Sequence, residues 1–172
     1  MSVQGADFVL SRVFAAPRDV LWRCFSEVQR MRQWWGPRDF KVISAEMDFR
    51  DGGFFHYAMQ PPEGDVMWGK MAYRDITLQD RIVFINSFSD EAGGVTRHPL
   101  APSWPLQLLS TFAFEDLTAG KTKFTVRWSP YEATADEHAT FAAEPSRVSM
   151  TDGWTGTLNR LDAYLAGAKE KA

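Results

Sequence analysis

The sequence has a single cysteine, Cys24, among its 172 residues, so no disulfide can form within the chain. It also lacks an excess of charge of either sign. The formal net charge is −3, from 19 basic and 22 acidic residues mixed along the chain, which argues against nucleic-acid binding. Since no run of about 18 apolar residues occurs, we expect no insertion into a membrane.

The first residues, MSVQGADFVLSRVF, lack the basic segment, apolar core and small-residue cleavage site of a signal peptide, so we expect a cytoplasmic protein. What remains, 45% apolar, 14% aromatic and 24% charged residues, is typical of a globular protein. We expect one domain over residues 1–172, because a chain of this length can fold without a disulfide or a structural metal.

Familiar catalytic motifs are missing too. There is no glycine-rich phosphate loop and no Gly-x-Ser-x-Gly nucleophile elbow. The three histidines, His56, His98 and His138, lie far apart in sequence, and no pair has the spacing of metal ligands on a helix. We therefore predict neither a metal nor a cofactor.

The pattern of apolar residues predicts both helices and strands. Residues 7–14 favour a strand, Pro17 then opens an amphipathic helix that buries Cys24 as a small hydrophobe, and a second short helix carries Trp34 and Trp35. From Lys41 the period changes to two, which indicates an antiparallel meander. Its predicted strands are 41–48, 53–60, 65–75, 79–88, 105–115 and 121–129.

A long helix is predicted to cover this sheet, from near Pro145 to Gly167. Its apolar stripe consists of Met150, Trp154, Leu158, Leu161 and Leu165. Gly153 and Gly156 interrupt the helix and each costs about 1 kcal/mol relative to alanine. They indicate either close packing against the sheet or space for a ligand beneath the helix.

Two segments do not fit a tight meander. Residues 89–104 hold two glycines and two prolines with few periodic apolar residues, which is typical of a lid, a binding loop or a surface excursion. Residues 132–144 are alanine-rich and polar, and they favour one or two separate helical turns before Pro145.

A series of short motifs follows the order of these elements. They are Arg12–Phe14 with Ala16-Pro17, Val20-Leu21-Trp22, Trp34-Trp35-Gly36-Pro37, Asp51-Gly52-Gly53-Phe54, Pro62-Glu63-Gly64, Gly69, and Gly153-Trp154 leading to Leu158, Leu161 and Tyr164-Leu165. In these motifs and their spacing the sequence resembles the activator of Hsp-90 ATPase homologue family, within the START-like (SRPBCC, birch-allergen-like) superfamily.

The resemblance implies an α+β helix-grip fold. In this fold a curved antiparallel sheet of about seven strands wraps round the long C-terminal helix, two short helices follow the first strand, and a cavity lies between helix and sheet. The segments 89–104 and 132–146 depart from the family pattern and affect access to that cavity.

Polar residues on apolar strand faces are the first candidates for a site in such a cavity. His56 shares a face with Phe54 and Ala58, and Arg12, Asn86 and Ser110 each lie among apolar neighbours. If these faces point inward, the four polar groups converge, as in an apolar small-molecule site with a few polar groups. The alternative for Arg12 and His56 is exposure to solvent or pairing with a neighbouring carboxylate.

The aromatic residues are the second signal, since the chain has seven tryptophans and thirteen phenylalanines. Most are expected to fill the core, and some would line a cavity. The complete set of predicted ligand-binding residues is Arg12, His56, Trp68, Asn86, Ser110, Phe112, Trp128, Trp154 and Leu158.

Three functions remain open at this point. The first is a module that binds a small hydrophobic or aromatic molecule. The second, drawn from the wider superfamily, is a polyketide cyclase or aromatase-like enzyme with His56 as acid–base and Arg12 or Asn86 stabilising an oxyanion. The third is a co-chaperone that binds an ATPase through an exposed patch at Trp34, Trp35 and Trp104, a patch that would equally suit a homodimer. We favour the first, because the inward apolar strand faces, the glycines of the covering helix and the long 89–104 loop suit a cavity. The third is the least favoured, since we expect no room for the second domain of the eukaryotic co-chaperone.

Overall fold

The computed structural model describes the backbone of residues 7–171 and the side chains of residues 7–167. Within this range the chain forms eight strands and four helices. The strands are β1 (Phe8–Phe14), β2 (Lys41–Asp48), β3 (Phe54–Gln60), β4 (Met67–Thr77), β5 (Arg81–Ser89), β6 (Val95–Thr96), β7 (Leu108–Asp116) and β8 (Thr122–Pro130). The helices are α1 (Arg18–Ser26), α2 (Val28–Trp34), α3 (Ala135–Ala142) and α4 (Glu144–Lys171).

All strands belong to one antiparallel sheet with the order β1-β8-β7-β5-β4-β3-β2, and β6 pairs with β5. The register shifts once between Val42 and Ser44 and once between Tyr73 and Asp75. Such bulges increase the local twist and bend of a sheet. The predicted α+β helix-grip architecture is confirmed, with the short β6 as an additional strand.

One end of the inner sheet face is filled by α1 and α2. The ring of Phe25 on α1 lies with its centroid 4.9–5.2 Å from those of four other aromatic side chains. These neighbours are Trp34, Phe112, Phe114 and Phe124, all fully buried. Cys24 is also buried on this helix, as predicted, and desolvation raises the pKa of its thiol to about 11.

The long helix α4 buries the predicted apolar stripe from Met150 to Leu165. It begins at Glu144 and continues past Gly167 to Lys171, beyond the predicted end. Gly167 does not end it because this glycine does not take the left-handed conformation that usually follows a helix. No helix within residues 7–171 combines the length and the apolar character needed to cross a membrane.

The two segments outside the predicted meander are ordered by local pairing. Residues 89–104 contain the turn that brings β6 back onto β5. Residues 132–144 contain α3, which starts with a capping box: the Thr134 hydroxyl accepts from the Glu137 N–H, and the Glu137 carboxylate accepts from the Thr134 N–H. The separate helical piece predicted there is confirmed.

Candidate functional site

A cavity of about 490 Å³ lies between the inner face of the sheet and the first half of α4. Eight aromatic side chains form much of its wall: Trp35, Tyr57, Trp68, Phe84, Phe88, Trp104, Trp128 and Trp154. Methionines of β3, β4 and α4 add flexible apolar surface. None of the described residues that line the cavity is an Asp, Glu, Lys or Arg, so the site has no charged anchor.

Small residues of α4 leave this space open. Ser146, Ser149 and Gly153 follow one another along the side of the helix that borders the cavity. A Cβ atom added at Gly153 would have no atom of the described residues within 4 Å, whereas one at Gly156 would lie 3.4 Å from the backbone nitrogen of Arg38. Gly153 therefore opens onto the cavity, and Gly156 serves close packing against the chain that follows α2.

The connection between α2 and β2 forms one wall and is held by Arg160 of α4. The Nη1 atom of Arg160 donates to the carbonyl oxygens of Trp35, Gly36 and Pro37 at 3.1, 3.0 and 2.9 Å. Gly36 has φ +104°, and a Cβ there would lie 2.6 Å from the Met59 sulfur. The positive φ favours glycine at this position, and a Cβ there would also force the flexible Met59 side chain to shift.

The opposite wall is a stretch that we call the cover segment, residues 97–105. His98, Ala101, Trp104 and Pro105 of this segment line the cavity. Three kinds of contact tie it to α3. Arg97 Nη1 lies 2.6 Å from Glu137 Oε2, Ser103 Oγ lies 2.8 Å from Thr140 Oγ1, and the rings of Trp104 and Phe141 lie 5.7 Å apart.

Glu137 is buried although it carries a charge, with its side chain 6% exposed. The Thr134 N–H and the Arg97 guanidinium both donate to its carboxylate, and these bonds lower its pKa. Arg97 also donates weakly to the carbonyl oxygens of Pro102 and Trp104 at 3.4 Å. One ion pair thus links α3 to both ends of the cover segment.

His98 is the histidine that lies at the cavity. Desolvation lowers its pKa, and its ring meets the ring of Phe88 edge-on at 4.8 Å. The Leu100 N–H donates to its Nδ1 at 3.0 Å. In the neutral ring the proton therefore resides on Nε2, which makes this nitrogen a donor.

Asn86 supplies a second polar group, on the inner face of the sheet. Its neighbours across the strands are Met71 and Leu108, both of which also line the cavity. Behind it, the fully buried Ser110 donates its hydroxyl to Asn86 Oδ1. No other hydrogen bond of either side chain occurs among the described residues, so the Asn86 amide nitrogen has no partner within that part of the chain.

Tyr57 is the third polar group. Desolvation raises the pKa of its hydroxyl to about 12, an effect that the nearby indole nitrogen of Trp35 partly opposes. The ring lies directly over Gly69, where a Cβ would come within 2.4 Å of the hydroxyl oxygen. The buried indole nitrogens of Trp35 and Trp128 have no acceptor with proper hydrogen-bond geometry among the described residues.

The structure divides the nine residues predicted to bind a ligand. Trp68, Asn86, Trp128 and Trp154 border the cavity. Ser110 lies behind Asn86, and Phe112 and Leu158 belong to the filled core rather than to the cavity wall. The ring of Trp68 stacks on His56, with centroids 5.0 Å apart.

The structure does not bring the four polar groups together: for Arg12 it shows the alternative, a contact with a neighbouring carboxylate. Its strand face was predicted correctly, because Arg12 pairs with the buried Phe124 across β1 and β8. However, its guanidinium donates to Asn159 Oδ1 at 2.8 Å and Asp162 Oδ2 at 3.3 Å on α4. The helix that covers the sheet therefore takes up this charge away from the cavity.

The predicted inward orientation was wrong for His56. Its cross-strand neighbours are Glu46 and Lys70 on the outer face, and its Nε2 lies 3.0 Å from both Ser89 Oγ and the Asp90 carbonyl oxygen. In β3 the set that holds His56 also contains the polar Gln60, whereas the alternating set of Phe55, Tyr57 and Met59 is the more apolar one. This second set faces inward, and His56 was assigned to the wrong face.

The proposed exposed tryptophan patch is a further correction. Trp34 is fully buried and Trp35 is 7% exposed, with the indole of Trp34 donating to the Cys24 carbonyl at 3.1 Å. Both rings belong to the interior because α2 packs them against the sheet. The patch therefore gives no support to a docked ATPase or a homodimer.

Sequence reasoning missed Trp35, Tyr57 and His98 as cavity residues. Signals for two of them were present: the Trp34-Trp35-Gly36-Pro37 motif places Trp35, and Gly69 marks the space that Tyr57 occupies. His98 lies in the irregular segment 89–104. Among the described residues, no three His, Cys, Asp or Glu side chains lie together as a metal site.

Comparisons with known proteins agree with this architecture. The model of the family Activator of Hsp90 ATPase homolog 1-like protein matches residues 15–166. A crystal structure of a protein from Nitrosomonas europaea is 20% identical, covers 99% of each chain and has a TM-score of 0.74. An NMR structure from Arthrobacter aurescens is 24% identical, covers 97% of this chain and 90% of its own, with a TM-score of 0.74. The AHSA1 protein from Silicibacter pomeroyi is 21% identical, with coverage of 94% and 98% and a TM-score of 0.70. No significant match is found among curated proteins.

Proposed function

The chain belongs to the Activator of Hsp90 ATPase homolog 1-like family, and we propose that it acts as a binding module for a small hydrophobic or aromatic molecule. The observation that carries the proposal is the cavity of about 490 Å³ with its aromatic wall. This volume is in the range of small-molecule sites, which are mostly apolar with a few placed polar groups. Asn86, His98 and Tyr57 are those groups here.

An apolar ligand gains binding free energy in this cavity without a charged anchor, because its apolar surface is removed from water. Each buried CH₂ group contributes about 0.8 kcal/mol, so a ligand burying ten such groups gains roughly 8 kcal/mol before costs. Association then costs several kcal/mol in lost translational and rotational freedom. Ten buried CH₂ groups alone therefore fall short of micromolar affinity, which corresponds to about −8 kcal/mol net, and ring contacts with the aromatic wall and hydrogen bonds to its polar groups must supply the rest.

The alternative functions have less support. A cyclase-like reaction was assigned to His56, which lies on the outer face of the sheet and stacks on Trp68. A co-chaperone role relied on a tryptophan patch of which Trp34 and Trp35 are buried and only Trp104 is partly exposed. Because neither assignment has a site in the described structure, we place the function in the cavity.

The proposal is tested by filling the cavity from α4. In Gly153→Leu the new side chain starts from an open position and extends into the space beneath the helix. We expect the wild type to bind the neutral fluorophore N-phenyl-1-naphthylamine with micromolar affinity and the variant to lose at least tenfold. Leucine also has the better helix propensity, by up to about 1 kcal/mol, so the variant should remain folded.

Gly167→Leu is the matched control, because Gly167 is on the same helix, has no close neighbours among the described residues and does not line the cavity. Its affinity should equal that of the wild type. Undiminished fluorophore binding by Gly153→Leu would place the fluorophore elsewhere. If the wild type binds neither this fluorophore nor any other apolar compound, the proposed function is wrong.

A further inference from the structure

We infer that the ligand is an uncharged aromatic compound with a carbonyl oxygen, and that Asn86 recognises this oxygen by donating a hydrogen bond. The inference rests on the proposed function and specifies the class of molecule that the cavity would select. It is carried by the arrangement of Asn86, Ser110 and His98 and by the chemistry of the wall.

The absence of charge in the wall excludes an ionic ligand. None of the described residues around the cavity carries a carboxylate, an ammonium or a guanidinium group. The two arginines that hold the cavity walls in place already have partners. Arg160 donates to three carbonyl oxygens, and Arg97 pairs with Glu137. An unpaired ion is very costly to bury, so a charged molecule would be rejected.

The Asn86 amide is oriented by its neighbour. Ser110 is fully buried, and Asn86 Oδ1 is the acceptor for its hydroxyl. The opposite orientation would leave the Ser110 hydroxyl without an acceptor among the described residues. One lone pair of the amide oxygen is therefore taken by Ser110, and the amide nitrogen is a donor with no partner among the described residues.

His98 is a donor as well. Its Nδ1 already accepts from the Leu100 N–H, so the free nitrogen of the neutral ring carries the proton. A ligand that offered only N–H donors would leave the Asn86 and His98 donors unpaired. An acceptor oxygen satisfies these groups, and an oxygen flanked by apolar surface, as in a ketone, fits the rest of the wall.

Aromatic character follows from the tryptophans. Trp154 meets Trp35 and Trp128 edge-on, each with a centroid separation of 5.7 Å. All three rings line the cavity. An aromatic ligand extends this edge-to-face arrangement, which stabilises ring pairs beyond the burial of their area.

Three probes of similar shape test the inference. Benzophenone has two rings and a carbonyl, diphenylmethane has the same rings without it, and 4-benzoylbenzoate adds a charge. Affinities are measured by displacement of N-phenyl-1-naphthylamine. For the wild type we expect benzophenone to bind about tenfold more tightly than diphenylmethane, as one hydrogen bond predicts, and 4-benzoylbenzoate to bind most weakly.

Two variants assign the selectivity to the residues. Asn86→Leu should abolish the preference for benzophenone while retaining diphenylmethane. Ser110→Ala should reduce the preference without removing the donor, because Ser110 is a positioning residue. A carbonyl ¹³C resonance of labelled benzophenone that moves downfield on binding to the wild type gives the same answer without any variant.

The outcomes separate the two proposals. Equal wild-type affinities for benzophenone and diphenylmethane would overturn the inference and leave an apolar binding module. The same holds if 4-benzoylbenzoate binds as well as benzophenone, or if Asn86→Leu keeps the preference. Failure of all three probes and of the fluorophore would count against the proposed function itself.

Discussion

The two ends of the inner sheet face differ although both are built from the same alternating strands. At the end covered by α1 and α2, the ring of Phe25 touches four other aromatic rings. At the end covered by the first half of α4 and the cover segment, the rings surround a space of about 490 Å³. The covering elements make the difference. Helix α1 inserts a phenylalanine, whereas α4 presents serines and Gly153.

Stability and ligand binding thus depend on different parts of one interior. A close-packed region loses much when a ring is removed, since the cavity left behind adds to the lost burial. Removing a ring that borders an existing cavity lowers the free energy of unfolding by less. Gly153 and the serines of α4 leave the interior beside the cavity loosely packed. The close-packed end beneath α1 and α2 compensates for the stability lost there.

The largest expected effect on stability comes from creating a second cavity, at the close-packed end. Phe25→Ala should lower the free energy of unfolding by about 3–5 kcal/mol, because the ring is 1% exposed and lies among four others. Phe88→Ala removes the same ring from the hollow end, where Phe88 already borders the cavity, and should cost only about 1 kcal/mol. Urea denaturation of both variants at neutral pH gives the values. Equal losses at the two ends would refute the division.

A smaller effect is expected at the junction of the cover segment with α3. Glu137→Gln keeps an acceptor for the Thr134 N–H but removes the charge that Arg97 contacts at 2.6 Å. Its free energy of unfolding should fall by about 1–3 kcal/mol. Hydrogen exchange or limited proteolysis should show faster opening of residues 97–105. Glu144→Gln is the control, because Glu144 is exposed at the start of α4.

The ion pair of Glu137 with Arg97 also predicts how the free energy of unfolding changes with pH in the acid range. The pKa of Glu137 is lowered from 4.5 in the folded protein, chiefly by the Thr134 N–H and then by Arg97. Its contribution to stability is therefore complete above about pH 4.5 and is lost as the pH falls through the lower folded value. Glu137→Gln should flatten the stability profile in that range. A profile parallel to that of the wild type would mean that Glu137 is not the group responsible.

The smallest effect concerns His98 at the hollow end. Desolvation lowers its pKa from 6.5, so the folded state binds its proton less readily than the unfolded state. Stability from this group is present above about pH 6.5 and declines as the pH falls below that value. His98→Asn retains an acceptor for the Leu100 N–H and removes the titration. The difference in melting temperature between the variant and the wild type should change between pH 7.5 and 5.5, and a constant difference would contradict this assignment.

Much of the fold could be predicted because local patterns and tertiary structure agree in it. The strand from Lys41 to Asp48 was predicted at its exact bounds, and the stripe from Met150 to Leu165 is buried as expected. The candidate site was only partly predictable. Trp128 and Asn86 border the cavity as predicted, while His56 was assigned to the inner face of β3 although the face without it is the more apolar one.

By itself the sequence determined the fold class, the order of elements and the helix that covers the sheet, because periods of two and of about 3.6 residues depend only on the chain's own backbone geometry. Only the tertiary structure decided where the interior is hollow. That depends on the size of side chains from elements far apart in sequence, such as Gly153, Trp35 and His98, which meet through strand register and helix packing. For the same reason Arg12, on a correctly predicted face, lies against α4 instead of in the cavity.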